Sequence, residues 1–363
     1  MTENANPEAQ ETKAERGRGA GLNMASRYDR ESSEPVDDGW YREEELPTPT
    51  KVEIDNSRSI IARNRSPDVP FDRSINPYRG CEHGCIYCFA RPTHAQLGLS
   101  PGLDFETRLL AKPAAADLLA RALAKPGYQV APIAIGTNTD PYQPIEKQWR
   151  IMRGILNVLW EHRHPVTITT KGSLVTRDKD ILRRMAREGL TTVSISLTTL
   201  DNKVSRAMEP RAAAPGRRIA AIRELARAGV PVGVGISPIV PGLTDNEIEQ
   251  LAKAAAEAGA QFATYTTVRL PLEISPLFRD WLERVYPDRA AKVMARVREM
   301  HGGKDYDNTW FKRLRGEGVY AKMIARRFEL ARVRYGLDRR TKPLRTDLFQ
   351  VPPRVGDQLS LGI

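Results

Sequence analysis

Five short apolar, β-branched runs recur along the chain: Ile133–Ile135, Val166–Thr170, Val193–Leu197, Val232–Ile236 and Phe262–Val268. Their starts lie 33, 27, 39 and 30 residues apart. Between them apolar residues return at helical spacing. Trp149, Met152, Ile155, Leu156, Leu159 and Trp160 share one face, as do Ile181, Leu182 and Met185, then Ile219, Ile222 and Leu225, then Ile248, Leu251 and Ala255. Gly189, Gly229 and Gly259 stand where a helix end calls for a left-handed residue. Thr244-Asp-Asn-Glu247 has the spacing of a capping box. Strand, helix, glycine, strand at about 30 residues is the pattern of right-handed βαβ units. Strands apolar on both faces fit a covered parallel sheet.

An open doubly wound sheet and a barrel both satisfy this pattern. The first calls for a glycine-rich phosphate turn, and neither GxGxxG nor GxxxxGK[ST] occurs. A barrel puts its functional groups just past the strand ends. Those positions hold Thr137–Asp140, Thr170–Lys171, Thr198–Asp201, Ser237–Pro238 and Arg269, all polar or turn-forming after apolar strands. The expected fold class is therefore α/β, a complete or partial barrel with helices outside. Residues 51–270 form its core and residues 271–363 a helical C-terminal extension, with amphipathic stretches at 276–285, 290–301 and 319–335 and a tail over the last 20 residues. Residues 1–50, polar and Glu-rich, read as a disordered acidic tail.

Charge sharpens this division. Residues 1–50 hold 12 acidic and 6 basic residues, a net of −6 against +11 for the chain, which leaves +17 on residues 51–363. A basic body attracts nucleic acid or another anion, although solvated surface arginine explains the number equally well. No run of about 18 apolar residues is present, and the N-terminus has no apolar signal-peptide centre. A cytoplasmic protein without a membrane span is expected. Nothing in the sequence indicates an oligomeric state.

All three cysteines fall within eight residues, Cys81-Glu-His-Gly-Cys85-Ile-Tyr-Cys88. Three cysteines make no disulfide framework. Such clustering argues against inert buried thiols. A structural zinc site, with His83 or His94 as fourth ligand, usually pairs two CxxC knuckles, and no second knuckle exists. A redox dithiol does not account for the CxxxC arm. The remaining reading is an iron–sulfur cluster. A cubane cluster normally takes four cysteine ligands, so three leave one iron open to a substrate or cofactor. That open corner points to an enzyme. Gly80 and Gly84 would let the backbone turn tightly beside it.

CxxxCxxC with Tyr87 before the last cysteine, closing the first strand of a βα series, resembles the radical S-adenosylmethionine (radical SAM) superfamily. The longer string Asn76-Pro-Tyr-Arg-Gly-Cys81-Glu-His-Gly-Cys85-Ile-Tyr-Cys88-Phe-Ala-Arg91 is similar to the spore photoproduct lyase branch, also described as DNA repair photolyase-like. Thr93-His94, Gly102-Leu-Asp-Phe-Glu106, Gly136-Thr-Asn-Thr-Asp140-Pro-Tyr-Gln-Pro-Ile-Glu146 and Glu209-Pro-Arg211 agree with that branch. The resemblance covers roughly residues 58–270. It implies a partial (β/α)6 TIM-like barrel and a [4Fe–4S] cluster on Cys81, Cys85 and Cys88. S-adenosyl-L-methionine would bind the fourth iron, and its reductive cleavage would give a 5′-deoxyadenosyl radical that takes a hydrogen atom from the substrate. The resemblance also implies an external electron donor of the flavodoxin or ferredoxin type.

The polar segment after the second strand, with Thr137, Asn138 and Asp140, takes the place of the usual Gly-Gly-Glu. Asp140 is the candidate partner of the cofactor's ammonium, or else a capping residue before Pro141. Lys171 resembles a partner of the methionine carboxylate, or is a turn lysine. Ser196 would touch the same carboxylate or the ribose, or pack in the barrel. Glu209 and Arg211 bind cofactor or substrate, or pair with other charges. Tyr87 and Phe89 shield the cluster or simply pack; His83 and His94 order the loop. Spore photoproduct lyase uses a further cysteine as hydrogen-atom donor, and this chain has none beyond the three. A nucleic-acid repair or modification lyase is the alternative enzyme reading, and nucleic acid is a candidate partner. The alternative from another class is a non-catalytic zinc-bearing nucleic-acid-binding protein.

Overall fold

The structure is a computed structural model that describes residues 17–28, 48–339 and 342–352. Its ten strands are β1 (Lys51–Ile54), β2 (Ile61–Arg63), β3 (Arg73–Ile75), β4 (Tyr78–Arg79), β5 (Arg108–Ala111), β6 (Ile133–Ile135), β7 (Val166–Thr170), β8 (Thr191–Ser196), β9 (Val232–Ile239) and β10 (Phe262–Thr267). The main sheet runs β10-β9-β8-β7-β6-β3-β2. All its neighbours are parallel except β2, which pairs antiparallel with β3. Six parallel strands in an unclosed curve, with helices between successive strands, make the expected (β/α)6 partial barrel. The five apolar runs all became strands.

Burial explains the arrangement. Ile133, Ile135, Val166, Ile168, Val193, Ile195, Val232 and Val234 point into one core with Met152, Ile155, Leu159, Ile181, Leu182, Met185, Ile222, Leu225 and Leu251 from the outer helices. Gly189, Gly229 and Gly259 all hold left-handed φ values after their helices. The predicted single helix around Trp149–Trp160 is broken at Arg150, which is left-handed, into 146–149 and 151–161. The buried Glu146 carboxylate accepts Ile151 N at 3.0 Å and Met152 N at 3.2 Å, so a side chain from the preceding turn caps the second helix. The capping box at Thr244–Glu247 does not form. Thr244 Oγ1 accepts Val240 N (2.9 Å), and Glu247 turns away to accept Leu200 N (2.7 Å) and Thr199 Oγ1 (2.5 Å).

A second, small sheet runs β1-β5-β4. After β3 the chain leaves the barrel at Ile75, pairs β4 with β5, and only then enters the cysteine segment. The disordered tail expected over residues 1–50 is corrected at 17–28. Ala20, Leu22 and Met24 are buried in a cluster with Cys85, Ile86 and Tyr87. Three apolar residues alternating with small and polar ones gave too short a period to stand out in an acidic segment. Residues 1–16 and 29–47 lie outside the described residues.

The C-terminal region contains the expected helices, at Ile274–Val285, Pro287–Met300 and Gly318–Arg334. The first two are not a separate layer, because Leu277, Phe278, Trp281 and Val293 share the cluster that holds Cys85 and Tyr87. Part of the expected tail is packed: Arg345 N donates to Gly189 O (3.0 Å), Gln350 N to His162 O (2.9 Å), and the Phe349 ring meets Tyr128 and His164. Residues 353–363 lie outside the described residues. Among the described residues no helix is long and apolar enough to cross a membrane.

Candidate active site

The cysteine segment follows β4 and lies at the end of the barrel where the parallel strands have their C-termini. Gly80 and Gly84 are left-handed, as the expected tight turns require. Cys81 and Cys85 are buried and Cys88 is half-buried, and none is disulfide-bonded. Burial, above all, pushes the Cys81 thiol well up; the Asp140 carboxylate and the two neighbouring cysteines add to it. Burial pushes Cys85 up as well, with Glu209 adding to it. Among the described residues no three His, Cys, Asp or Glu side chains close on a single point, as one zinc ion would need. Three free thiols on one loop are the donor set of a cubane cluster with one iron left open.

The loop is held by residues given no role from sequence. Gln143, fully buried, brackets Cys81: Glu82 N donates to Gln143 Oε1 (2.7 Å) and Gln143 Nε2 donates to Gly80 O (3.2 Å). Cys81 N donates to Phe105 O (2.9 Å) and Ile86 N to Met208 O (3.0 Å). Arg91 reaches beneath the loop to Cys85 O (3.0 Å) and pairs with Glu106. Their only trace in the sequence was membership of the longer strings around the cysteines.

The strand-end residues converge on this loop. Asp140 accepts Tyr142 N (2.9 Å) and the Thr170 hydroxyl (2.5 Å) through Oδ1 and Lys171 N (2.6 Å) through Oδ2, with His83 Nδ1 at 3.5 Å. It therefore ties the end of β6 to the end of β7. Thr137 and Asn138 are half-buried beside it, and Asn138 N donates to Asn76 Oδ1 (3.2 Å). Lys171 Nζ lies 5.8 Å from the centre of the Tyr87 ring. Burial opposes its charge, but Cys85 and Glu209 outweigh that and hold its pKa up. Ser196 Oγ donates to Ser237 O (2.9 Å), which joins β8 to β9.

Glu209 is buried, not a loop-surface group. It pairs with the equally buried Arg218, accepts the Tyr87 hydroxyl, and accepts Thr198 Oγ1 at 2.8 Å. Burial alone would raise its pKa; Arg218 and Lys171 overcome this and hold it at about 2. Arg211 instead pairs with Glu82 at 2.7 Å. His94 lies with Nε2 2.9 Å from Arg108 O and its ring edge-on to Phe105. Phe89 is stacked under the Arg269 guanidinium at 3.8 Å. Tyr306 lies beside Arg269. It also lines a cleft of about 730 Å³ with Pro271, Leu272, His301 and Lys304, past the end of β10.

A sequence model of the Radical SAM superfamily matches residues 75–255. An uncharacterized protein of Mycobacterium tuberculosis (strain ATCC 25618 / H37Rv) is 34% identical over 296 residues, which cover 80% of this chain and 84% of that one. An uncharacterized protein of Methanocaldococcus jannaschii is 28% identical over 214 residues, 59% of this chain and 76% of the relative. Among solved structures, spore photoproduct lyase complexed with dinucleoside spore photoproduct has a TM-score of 0.51 at 16% identity, over 78% of this chain and 77% of that one. This last likeness is one of fold.

Proposed function

Because the chain belongs to the radical SAM superfamily, a family of enzymes that use a [4Fe–4S] cluster and S-adenosylmethionine, we propose that Cys81, Cys85 and Cys88 are the three protein ligands of that cluster. When bound, the cluster supplies the electron that cleaves S-adenosylmethionine to a 5′-deoxyadenosyl radical. The observation that carries the assignment is three free thiols within eight residues of one loop, fixed on both sides of Cys81 by Gln143, at the C-terminal mouth of a parallel barrel.

The chain's own residues then have distinct tasks. Lys171, held cationic, offers an ammonium to the cofactor's carboxylate. Asp140 keeps the Lys171 backbone in place and presents the remaining lone pairs of its carboxylate toward the cofactor's amine. Thr137 and Asn138 border the same space, and the Ser196 hydroxyl sets the spacing of β8 and β9 beneath it. Tyr87, fixed by ionised Glu209, and Phe89 keep water from the sulfurs. The site needs a one-electron reductant, for which a flavodoxin- or ferredoxin-type protein in the cytoplasm is the proposed source.

A nucleic-acid lyase reading is favoured by one observation. Trp310 and Phe311 are exposed directly after Thr309, which lines the cleft past β10 together with Lys304, and exposed aromatic faces beside a cation are of the kind that stack on unpaired bases. Anaerobic reconstitution tests the main assignment: about four irons per chain, broad absorbance near about 400 nm, and 5′-deoxyadenosine formed with dithionite and S-adenosylmethionine. One zinc per chain with no iron uptake would defeat it. Repeating the assay with and without single-stranded DNA or RNA tests the second reading, which is lost if neither alters turnover nor binds.

A further inference from the structure

Residues 17–28 cross the outer side of the cysteine loop without forming a helix or a barrel strand. We propose that Glu106 is a positioning residue that latches this segment onto the loop, and that the latched segment, not the loop alone, keeps water and oxygen from the cluster. This rests on the cluster assignment above.

The chemistry starts from Arg91, whose five donors form a fixed planar fork. Nε donates to Cys85 O (3.0 Å), Nη1 to Pro101 O (3.2 Å) and Gly102 O (2.8 Å), and Nη2 to Gly84 O (3.2 Å) and Glu106 Oε1 (2.5 Å). One guanidinium therefore fixes the carbonyls of Gly84 and of the second cysteine, Cys85. Arg91 and Glu106 are both fully buried, so neither charge is tolerable without the other. The opposite side of the Glu106 carboxylate takes the segment: Gly19 N donates to Oε2 and Ala20 N to Oε1, each at 2.9 Å. Arg18 Nη1 donates to Glu106 O at 3.1 Å. A single buried anion thus joins residues 18–20 to the backbone of the cysteine loop.

The approach is too close for any side chain at residue 19. A Cβ there would lie 1.9 Å from Gly84 O. Beyond this point Ala20, Leu22 and Met24 bury themselves against the core that includes Cys85 and Tyr87, and Ser26 Oγ donates to Ala95 O (2.9 Å). Arg18 also reaches Thr48 O (2.8 Å) and Thr50 Oγ1 (3.1 Å), and Arg27 pairs with Glu273, so the segment is pinned at both ends and Glu106 is its attachment to the cysteine loop.

Two variants of the full-length chain test this. Glu106→Gln sets an NH2 group against one of the two amides, which bond to different carboxylate oxygens, and leaves the Arg91 charge uncompensated; Gly19→Val evicts the segment while sparing the buried pair. Hydrogen exchange at residues 17–28 should accelerate about tenfold in both, the effect expected when one charge-assisted hydrogen bond leaves an opening equilibrium. In reconstituted enzyme the cluster absorbance should fade in air faster by a similar factor, and the midpoint potential should move positive, because water and uncompensated positive charge favour the reduced cluster. Unchanged exchange in Glu106→Gln would overturn the latch. Faster exchange in Gly19→Val with wild-type air stability and potential would overturn the shield. If the wild-type chain took up no iron, the cluster assignment would fail, and exchange in the metal-free chain would still judge the latch.

Discussion

The two sides of the barrel mouth are built on opposite plans. On the β3–β8 side, buried polar groups are tied inward: Gln143 to the cysteine loop, Arg91 to Glu106, Glu209 to Arg218. On the β10 side, Leu272, Trp310 and Phe311 are 63%, 54% and 66% exposed, and Arg269 leans on Phe89 with no carboxylate partner among the described residues. The first side is a finished socket. The second is an open surface with exposed apolar side chains. An enzyme with a fixed cofactor and a variable substrate needs this division, since preorganisation serves the part that never changes.

The largest break in that comparison is Cys85→Ala. It should abolish iron uptake while circular dichroism shows an intact barrel, because the core of Ile168, Val193 and Val234 does not involve the cysteines. Retained S-adenosylmethionine cleavage in this variant would erase the distinction between socket and surface. Glu209→Gln comes next. It leaves Arg218 buried and uncompensated, at a cost of about 3–5 kcal/mol in denaturant unfolding. The acid limb of stability should change with it. Glu209 titrates near 2 when folded, below its ordinary range, so its stabilisation is present above that range and is lost as pH falls toward 2. The variant should lack that loss.

Lys171→Ala should raise the KM for S-adenosylmethionine about tenfold or more, the worth of a charged hydrogen bond, while iron content stays at the wild-type value. An unchanged KM would return Lys171 to the status of a turn residue. At the bottom of the scale, Trp310→Ala should shift stability by no more than about 0.5 kcal/mol and leave cofactor cleavage without substrate untouched. A large loss of stability there would mean that the β10 side is as internally tied as the other.

The sequence conveyed the barrel and its centre because both are local signals. Apolar runs at a 30-residue period and three cysteines in eight residues can be read without knowing what lies nearby in space. Lys171 and Asp140 were singled out because strand ends are where a barrel puts chemistry, and the structure joins them through Lys171 N and Asp140 Oδ2. The residues that hold the centre together were not. Gln143 acts on a loop 61 residues earlier, and Glu106 receives amides from 86 and 87 residues earlier. A neutral or paired side chain inside a motif carries no mark of such long-range partners. The segment 17–28 was misjudged for the same reason: its burial is decided by Glu106 and the helix Ile274–Val285, not by its own composition. Glu247 shows the converse, a locally convincing cap that a distant backbone amide took over.

The last barrel strand has no eighth neighbour in the sheet, yet its free margin is occupied. Ala263 N donates to Leu337 O at 3.0 Å, Thr267 N donates to Leu314 O at 2.9 Å, and Arg313 from the same returning stretch grips Asp68 near the opposite margin of the sheet. The C-terminal polypeptide therefore works as a hem. Unstitched, for instance by truncation before residue 314, it would bare a row of amides and carbonyls at β10 that a like strand from another molecule can complete, and the monomer would become a seed for edge-to-edge association.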